Sequence, residues 1–452
     1  MGSTGKRYTG ITKAIKRWDV IIMQQKLIVL SADALTNEDM TYLVTLPNFQ
    51  KYLAGGCCVK QVRSIYPTCT YPCHTTMRTG VWPDKHGVVC NYGIVPGELD
   101  PPYEWDNKVV RWEEDIFRAA KRAGLTTASI CWPVTGNHPY IDYLIAECWP
   151  KKTGITFLET FKSYGSSEEV LEIARTQMEG YSFDATPAFE KFQIRCACEF
   201  IKKYQPDLLM LHPGNVDGYK HKYGISNEHV TKGIEEIDQF IGEIMGTVEE
   251  SGLLECTNFV LTSDHGQIDV ERYVSPNVKL IEAGLMHLNE SGEMDDWEAY
   301  CMTNGSSALV YLKNPSNREV YDKTWKLLKH MSDEEVYGFT EVYTEPEMRK
   351  KEHFGGDFSF VLETDGYTAF NLRMKRPYQK KPNFSLLQYA KGQHGHSPDI
   401  GAKPVFAAKG PAFREKVTIE TANLIDQAPT YARILGVELK KADGKVIEEF
   451  IR

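Results

Sequence analysis

The chain has 452 residues, of which 42% are hydrophobic and 25% are charged. This composition is typical of a globular protein with one large domain plus insertions, or with two to three domains. The formal net charge of −9 disfavours a nucleic-acid duplex or an anionic membrane surface as the main partner. Because no stretch approaches the ~20 apolar residues of a transmembrane helix, we expect no membrane partner. Composition leaves the oligomeric state open.

The eleven cysteines show no repeating spacing that would indicate a disulfide framework. An odd number of cysteines without a secretory signal predicts reduced thiols and a cytoplasmic location. Residues 1–25 are basic, and the apolar run at 20–23 is too short for the core of a signal peptide. We therefore predict that residues 1–25 are an N-terminal extension and that the first strand begins at Lys26.

Apolar runs of strand length alternate with amphipathic stretches of helical length along the first 270 residues. The pattern predicts strands at 27–30, 126–131, 207–212 and 258–262, and helices at 37–54, 112–123, 188–204 and 227–251. Residues 134–187 are rich in Tyr, Gly and Pro, which predicts an irregular excursion. Strands that alternate with helices predict an α/β fold with a mainly parallel central sheet flanked by helices.

The alternation weakens between residues 271 and 375. Acidic loops, a helix near 317–332 and a hairpin-like segment at 358–370 follow one another there. We interpret this region as a smaller α+β insertion that caps the site. The sheet pattern resumes with a strand at 404–408 and a helix at 419–435. The predicted catalytic core therefore comprises residues 26–270 and 376–452, and the predicted cap comprises residues 271–375.

Residues 66–91 contain the pattern of a helix N-terminus. Thr68 and Thr70 precede Pro72, and Gly80 follows the last helical position, as in a helix that begins with a hydroxyl N-cap and ends at glycine. The N-terminus of a helix presents free backbone N–H groups and a partial positive charge, which can hold a phosphate-like anion. A hydroxyl placed there, such as that of Thr70, could attack phosphorus if another group lowered its pKa.

Acidic and imidazole side chains follow the ends of the predicted strands. The carboxyl ends of parallel strands meet at one edge of a sheet, where ligands bind. Buried carboxylates need a compensating charge, and mixed carboxylate and imidazole ligands suit zinc while also accepting manganese or iron. Six such ligands are too many for one tetrahedral ion and fit two, which would activate the Thr70 hydroxyl. The candidate ligands are Asp33, Asp217, His221, Asp264, His265 and His394.

These residues stand in motifs that resemble those of a known family. The motifs are Asp33, Pro67-Thr-x-Thr70-aromatic-Pro, Thr79-Gly-x-x-Pro-x-x-His86-Gly, Asp217-x3-His221, Ser263-Asp-His-Gly266 and Gly392-x-His394-Gly. In this order, over residues 26–438, the chain is similar to the nucleotide pyrophosphatase/phosphodiesterase branch of the alkaline phosphatase superfamily. The resemblance implies an alkaline-phosphatase-like core and a hydrolase that cleaves phosphodiester or pyrophosphate bonds of nucleotide-like small molecules.

The resemblance also implies a role for each motif residue. It gives two zinc sites: Asp217, His221 and His394 at one, and Asp33, Asp264, His265 and the Thr70 hydroxyl at the other. Thr70 would form a covalent phospho- or nucleotidyl-threonine, which water then hydrolyses. Tyr71 is similar to the residue that packs on a nucleobase. Cys73 stands where the family usually has an Asn that binds a phosphoryl oxygen, and Arg78 on the same helix is a candidate substitute.

Other activities remain open at this point. Within the superfamily they are a phosphomonoesterase, a phosphonate hydrolase and a mutase of the phosphoglycerate type, although a mutase would favour manganese and a Ser nucleophile. An inactive metal-bound scaffold that recognises a phosphorylated partner is disfavoured, because the nucleophile and ligand positions are all filled. Cys73 is a weak donor, and Arg78 is the one obvious cation near Thr70. We therefore predict that diesters are preferred over monoesters.

Overall fold

The structure is a computed structural model that describes residues 24–183, 186–384 and 389–452. The predicted N-terminal extension lies outside the described residues, apart from residues 24 and 25. Within the described ranges, no helix is both long and apolar enough to cross a bilayer.

The strands of the described chain form one large sheet and several small ones. In chain order they are β1 Lys26–Ser31, β2 Cys57–Arg63, β3 Thr127–Ile130, β4 Tyr143–Ile145, β5 Leu208–Leu211, β6 Thr257–Thr262, β7 Ile268–Asp269, β8 Arg272–Val274, β9 Met286–Leu288, β10 Met294–Trp297, β11 Ala299–Thr303, β12 Ser307–Leu312, β13 Phe339–Thr344, β14 Phe360–Thr364, β15 Thr368–Phe370, β16 Gln379–Lys380, β17 Gly392–Gln393, β18 Phe406–Lys409 and β19 Val417–Asn423.

The helices of the described chain pack on both faces of the large sheet and around the small ones. In chain order they are α1 Met40–Leu43, α2 Pro47–Tyr52, α3 Thr70–Thr79, α4 Pro83–His86, α5 Ile116–Arg122, α6 Phe157–Ser163, α7 Glu168–Met178, α8 Ala188–Tyr204, α9 Asn215–Tyr223, α10 Glu228–Glu250, α11 Pro276–Glu282, α12 Arg318–Asp333, α13 Glu345–Glu352 and α14 Gln427–Leu435.

The large sheet has the strand order β19-β2-β18-β6-β1-β5-β3-β4. Neighbouring strands are parallel except at β18, which is antiparallel to both β2 and β6. The sheet is therefore mainly parallel, and β1, β5 and β6 lie side by side near its centre. Parallel neighbours end at the same edge, so the loops that follow these three strands meet there.

Strand β1 illustrates why the centre of the sheet is apolar. Leu27 and Val29 belong to the core under α3, α5 and α14, whereas Ile28 and Leu30 belong to the core under α8 and α10. Alternate side chains of a strand point to opposite faces. Because helices cover both faces, the side chains from Leu27 to Leu30 are all buried, which produces the continuous apolar run that predicts a buried parallel strand.

The segment at 134–187 is not the irregular excursion that its composition predicts. It contains strand β4 and helices α6 and α7. Its pattern is weak because β4 has only three residues, and because α6 begins at a polar capping box in which Thr156 and Glu159 exchange hydrogen bonds. β4 pairs with β3 and forms one edge of the large sheet.

Three other predicted elements are wrong. The helix predicted at 37–54 is two short helices, α1 and α2, and Pro47 begins the second. Residues 419–435 are not one helix, because β19 runs to Asn423 and α14 begins at Gln427. The β-branched residues of β19 favour a strand, and this strand pairs in parallel with β2. Residues 358–370 are not a hairpin, because β14 lies between β12 and β13 whereas β15 pairs with β8.

An antiparallel sheet in the order β11-β12-β14-β13 lies within the predicted cap at 271–375. Together with α11, α12 and α13 it encloses its own apolar core, which includes Tyr300 and Leu309. A second small sheet, β15-β8-β16, extends to Lys380 and so passes the predicted cap boundary. The division of the chain into a core and a cap stays a prediction.

Candidate active site

Thr70 is the first residue of α3. The sequence pattern predicts a threonine N-cap, but the N-cap residue is Cys69, which makes no side-chain capping bond. Thr68 instead donates its hydroxyl to the carbonyl of His396 at 2.8 Å. The Thr70 hydroxyl is therefore not engaged in capping, and its Oγ1 lies 3.2 Å from Nε2 of His265.

Asp33, Asp264 and His265 meet beyond the ends of β1 and β6. Nε2 of His265 lies 3.1 Å from Oδ2 of Asp264 and 3.6 Å from Oδ1 of Asp33. Both carboxylates are buried, and neither of these oxygens has a hydrogen-bond donor among the described residues. Burial, followed by the charge of Asp217, raises the pKa of Asp33 well above its usual range, and burial followed by the charge of Asp33 does the same for the pKa of Asp264. A cation between the two carboxylates would offset both effects.

Asp217, His221 and His394 form a second group that contacts the first through His265. Asp217 and His221 lie one turn apart on α9, with Oδ2 of Asp217 3.2 Å from Nε2 of His221. The ring of His394 lies 5.2 Å from the ring of His221 and 4.2 Å from the ring of His265. Ligand atoms of Asp217, His265 and His394 all lie within 4.8 Å of one another. His265 is thus within reach of both groups.

Backbone carbonyls orient the three imidazoles. The Nδ1–carbonyl pairs are His221 with Gly392 at 2.8 Å, His265 with Gly266 at 3.2 Å and His394 with Thr68 at 3.1 Å. Because a carbonyl oxygen only accepts, each Nδ1 carries the hydrogen and each neutral ring keeps a lone pair on Nε2. Metal-binding histidines are commonly held in this way.

The predicted ligands fit divalent cations. They bring three carboxylates and three Nε2 lone pairs into one cluster at the sheet edge, a donor set that suits zinc and accommodates manganese. The orphaned oxygens of Asp33 and Asp264 are the observation that decides this fit, since buried polar atoms without partners are rare in folded proteins. The identity of the metal stays a prediction.

A cavity of about 680 Å³ opens beside Thr70. Asp33, Asp217, His221 and His394 also line it, so the candidate nucleophile and four of the predicted ligands face the same space. Among the described residues, no Lys or Arg lines the cavity. Its aromatic lining consists of Tyr71, Tyr92, Tyr103, Trp149, Tyr273 and Phe370.

Residues 27–396 match the model of a protein family described as type I phosphodiesterase / nucleotide pyrophosphatase. The chain belongs to this family. The protein is therefore a hydrolase of the phosphodiesterase and nucleotide pyrophosphatase type, and the predicted family is confirmed.

Curated relatives match the chain over most of its length. The human ectonucleotide pyrophosphatase/phosphodiesterase family member 7 is 22% identical over 429 residues, which are 93% of this chain and 82% of the relative. Human family member 5 is 24% identical over 433 residues, which are 93% of this chain and 76% of the relative. Bovine family member 3 is 21% identical over 412 residues, which are 88% of this chain but 41% of that longer relative.

Solved structures of relatives share the fold. The structure of murine ectonucleotide pyrophosphatase/phosphodiesterase 5 superposes with a TM-score of 0.65 at 21% identity, covering 94% of this chain and 100% of the murine chain. An inactive variant of the murine protein in complex with AMP gives a TM-score of 0.64 at 21% identity, covering 93% and 97% of the two chains. The predicted α/β fold is thereby confirmed.

Of the three predicted substrate-binding residues of this family member, Tyr71 alone lines the cavity. Cys73 is fully buried, with Sγ 3.4 Å from the hydroxyl of Ser64. The structure thus corrects the prediction that Cys73 occupies a phosphoryl-binding position. The amide at the site belongs to Asn91, whose Oδ1 accepts the N–H of Tyr71 at 2.9 Å. Asn91 lines the cavity, and its Nδ2 group has no acceptor among the described residues, so it is available to a phosphoryl oxygen.

Arg78 does not reach the cavity, which corrects its assignment as a substrate-binding residue. Its guanidinium is buried and pairs with the carboxylate of Asp115. The second amino group donates to Oδ1 of Asn107 at 2.7 Å and to the carbonyl of Val134 at 3.3 Å. Asp115 also contacts Nε2 of His138 at 2.8 Å. Arg78 therefore joins α3 to the start of α5.

Replacing Arg78 with leucine is expected to lower the free energy of unfolding by about 3 kcal/mol, because it removes the guanidinium from the buried Asp115 carboxylate, which among the described residues keeps only His138 and the backbone N–H of Arg118 as partners. Arg111→Leu is the matched control: Arg111 pairs with Asp357 at 2.9 Å at the exposed surface, and its loss should cost less than ~1 kcal/mol. Denaturant unfolding measures both values. If Arg78→Leu left the stability unchanged but altered the ratio of kcat/KM for a diester to that for a monoester, Arg78 would have to be assigned to substrate binding after all.

The polar residues of the site that the sequence analysis does not predict include Asn91, Glu147 and His212. His212 directly follows β5, and Glu147 follows β4 by two residues. A polar residue just beyond a short apolar run is the same signal that identifies Asp33, so the sequence carried a pattern that could have found both. Asn91 lies in a loop and carries no comparable signal.

Proposed function

We propose that the protein hydrolyses phosphodiester or pyrophosphate bonds of nucleotide-like small molecules through a covalent intermediate on Thr70, at a site that holds two zinc ions. The proposal rests on the Thr70 hydroxyl, whose Oγ1 lies 3.2 Å from Nε2 of His265 among six metal-ligand side chains. Family membership supports the reaction class. The names of the relatives and the AMP complex of the murine structure support nucleotide-like substrates.

The two ligand groups divide naturally between two ions. Two ions at such a site polarise the phosphoryl group, stabilise the attacking and leaving oxygens and lower the pKa of a nearby hydroxyl. Zinc is the ion we propose, with manganese as the second candidate. The ligands would be Asp33, Asp264 and His265 for the ion next to Thr70, and Asp217, His221 and His394 for the other.

In the first step, Oγ1 of Thr70 gives up its proton to solvent water and forms a bond to phosphorus, while the bond between phosphorus and the leaving oxygen breaks and that oxygen keeps the electron pair. The Nδ2 group of Asn91 donates to a non-bridging phosphoryl oxygen, and the N-terminus of α3 favours the negative charge. In the second step, water attacks phosphorus, the bond to Oγ1 breaks, and Thr70 regains a proton.

The test is a comparison of kcat/KM for bis-p-nitrophenyl phosphate, the p-nitrophenyl ester of thymidine monophosphate, p-nitrophenyl phosphate and p-nitrophenyl phenylphosphonate. We expect one of the two phosphodiesters to exceed the monoester by at least ~10-fold, or about 1.4 kcal/mol of transition-state stabilisation. The reason is that a monoester dianion carries an additional charged oxygen, and no described Lys or Arg lines the cavity to bind it. A preference for the monoester or the phosphonate would support one of the alternative hydrolases, and no turnover of any ester would support the scaffold.

A cytoplasmic location remains our proposal. It is supported by the eleven cysteines, all of which are free thiols and ten of which are buried. The prefix "ecto" in the names of the matched relatives describes those proteins. Alkylation of the native protein isolated without reductant would test the redox state: one accessible thiol, that of Cys58, is expected before unfolding, since Cys58 is the one cysteine that is not fully buried.

A further inference from the structure

Glu147 places a carboxylate in the cavity that the proposed reaction does not use. It lies beyond the end of β4 and lines the same cavity as Asp33, Thr70 and Asp217. Its side chain is 15% exposed, so it is largely buried yet accessible from the cavity. Oε2 of Glu147 has no hydrogen-bond partner among the described residues.

Two side chains approach the Glu147 carboxylate, one by a hydrogen bond and one by a longer contact. The hydroxyl of Tyr71, the residue next to the nucleophile, donates to Oε1 at 3.3 Å. Nδ1 of His212 lies 3.8 Å from Oε2, and Nε2 of the same ring lies 3.2 Å from Oδ2 of Asp33. The carboxylate therefore lies between Tyr71, which follows Thr70 in the chain, and His212, which contacts the predicted metal ligand Asp33.

His212 belongs to a further cluster of potential ligand atoms, with His74 and Asp264. Both ring nitrogens of His74 are already paired, Nδ1 with the carbonyl of Thr70 and Nε2 with the hydroxyl of Ser31, each at 2.9 Å. A third ion is therefore not needed to explain this cluster, and His212 lies between Glu147 and Asp33.

The charges around the cavity favour a substrate with one negative charge. Two divalent ions held by three carboxylates leave a net charge of one positive unit, which a diester monoanion neutralises and a monoester dianion exceeds. Glu147 adds a negative charge to the lining of the same cavity, and among the described lining residues no Lys or Arg opposes it. Like charges in a partly buried site repel strongly, because water screens them poorly.

We infer that Glu147 is a specificity-determining residue, whose carboxylate disfavours doubly charged phosphoryl groups and so selects phosphodiesters over phosphomonoesters. The inference rests on the proposed function. Burial raises the pKa of Glu147 to about 7, so the carboxylate is mainly ionised in assays at higher pH.

The test compares Glu147→Gln, which keeps the shape of the side chain and removes its charge, with the unchanged protein. We expect the ratio of kcat/KM for bis-p-nitrophenyl phosphate to that for p-nitrophenyl phosphate to fall by at least ~10-fold. Inorganic phosphate, a dianion under the same conditions, should bind to the variant at least ~10-fold more tightly in calorimetry. Glu147→Asp keeps the charge and should retain the preference for the diester.

Asp100→Asn is the matched control, because Asp100 is an exposed carboxylate at the same cavity, and solvent screening should limit its effect on the ratio to less than ~3-fold. The inference would be overturned if Glu147→Gln left the diester-to-monoester ratio unchanged, or if it reduced the hydrolysis of both esters equally. An equal change of this ratio in Asp100→Asn would also overturn it. The phosphate-binding comparison is repeated in the Thr70→Ala protein, which needs no turnover. If the unchanged protein cleaves neither ester, the proposed function is wrong. The affinity for inorganic phosphate would still show whether Glu147 disfavours a dianion.

Discussion

Thr70→Ala is expected to reduce turnover of a diester by about 10⁴-fold or more, the scale seen when a covalent nucleophile is removed. Within the part of the chain that the structure describes, the Thr70 hydroxyl has one hydrogen-bond contact, to Nε2 of His265, and it serves no capping role. Its removal should therefore leave metal content and thermal stability nearly unchanged. Thr70→Ser keeps a hydroxyl and should recover part of the activity. Steady-state kinetics and acid-quench trapping of labelled phosphate on the protein measure both effects.

A threonine in the same helix provides the control for this variant. The hydroxyl of Thr75 donates to the carbonyl of Tyr71 at 2.8 Å and does not line the cavity. Thr75→Val removes this bond and keeps the shape, so turnover should stay within ~3-fold of the original, because one such hydrogen bond contributes about 1 kcal/mol to folding and nothing to the reacting atoms. Label trapped on any residue other than Thr70 would show that the nucleophile has been misassigned.

Exhaustive dialysis against a chelator is expected to reduce turnover by at least ~10³-fold, because two ions at a phosphoryl-transfer site supply several kcal/mol of charge stabilisation. The untreated protein should hold about two equivalents of zinc or manganese, one for each ligand group. Loss of the metal should also lower the melting temperature, since a ligand at a thousandfold excess over its Kd stabilises the fold by about 4 kcal/mol. Zinc added back should restore both activity and stability.

A single-residue change tests the assignment of the predicted ligands to two metal sites. His394→Ala removes a ligand of the second group and should reduce the metal content from about two equivalents to about one. His330→Ala is the matched control, because His330 is an exposed residue of α12 that pairs with Glu334 at 3.3 Å. Its metal content should equal that of the unchanged protein. One tightly bound calcium and no transition metal would contradict the two-ion site.

The sequence by itself determines the class of fold and where the site lies on it. Asp33, Asp217 and Asp264 each follow a short apolar run, and the intervening helices imply that these runs are parallel strands. Parallel strands end at a common edge, so local pattern is enough to predict that these carboxylates converge. His394 is different, because β17 belongs to a two-stranded sheet outside the large one, and a motif alone identifies it.

The predictions for Arg78 and Cys73 are wrong because they inferred closeness in space from closeness in sequence. Arg78 is eight residues from Thr70, which at 1.5 Å per residue is about 12 Å along a helix. At that distance its partner is Asp115 and not a phosphoryl group. Cys73 lies one turn beyond Thr70, but the packing of α3 turns it toward Ser64. Which side of a buried helix faces a cavity depends on the neighbouring elements, and every residue of α3 is buried.

The tertiary structure alone decides which distant loops complete the site. Asn91, Glu147 and His212 come from three separate loops, and no spacing in the chain relates them to Thr70. Glu147 reaches Tyr71, the second residue of α3, although β4 is an edge strand and β2, which precedes α3, lies near the opposite edge of the sheet. Strand order follows from how helices and strands of the whole domain pack together. Local pattern therefore predicts that Asp33, Asp217 and Asp264 converge, a motif identifies His394, and global packing brings Asn91 and Glu147 to the cavity beside Thr70.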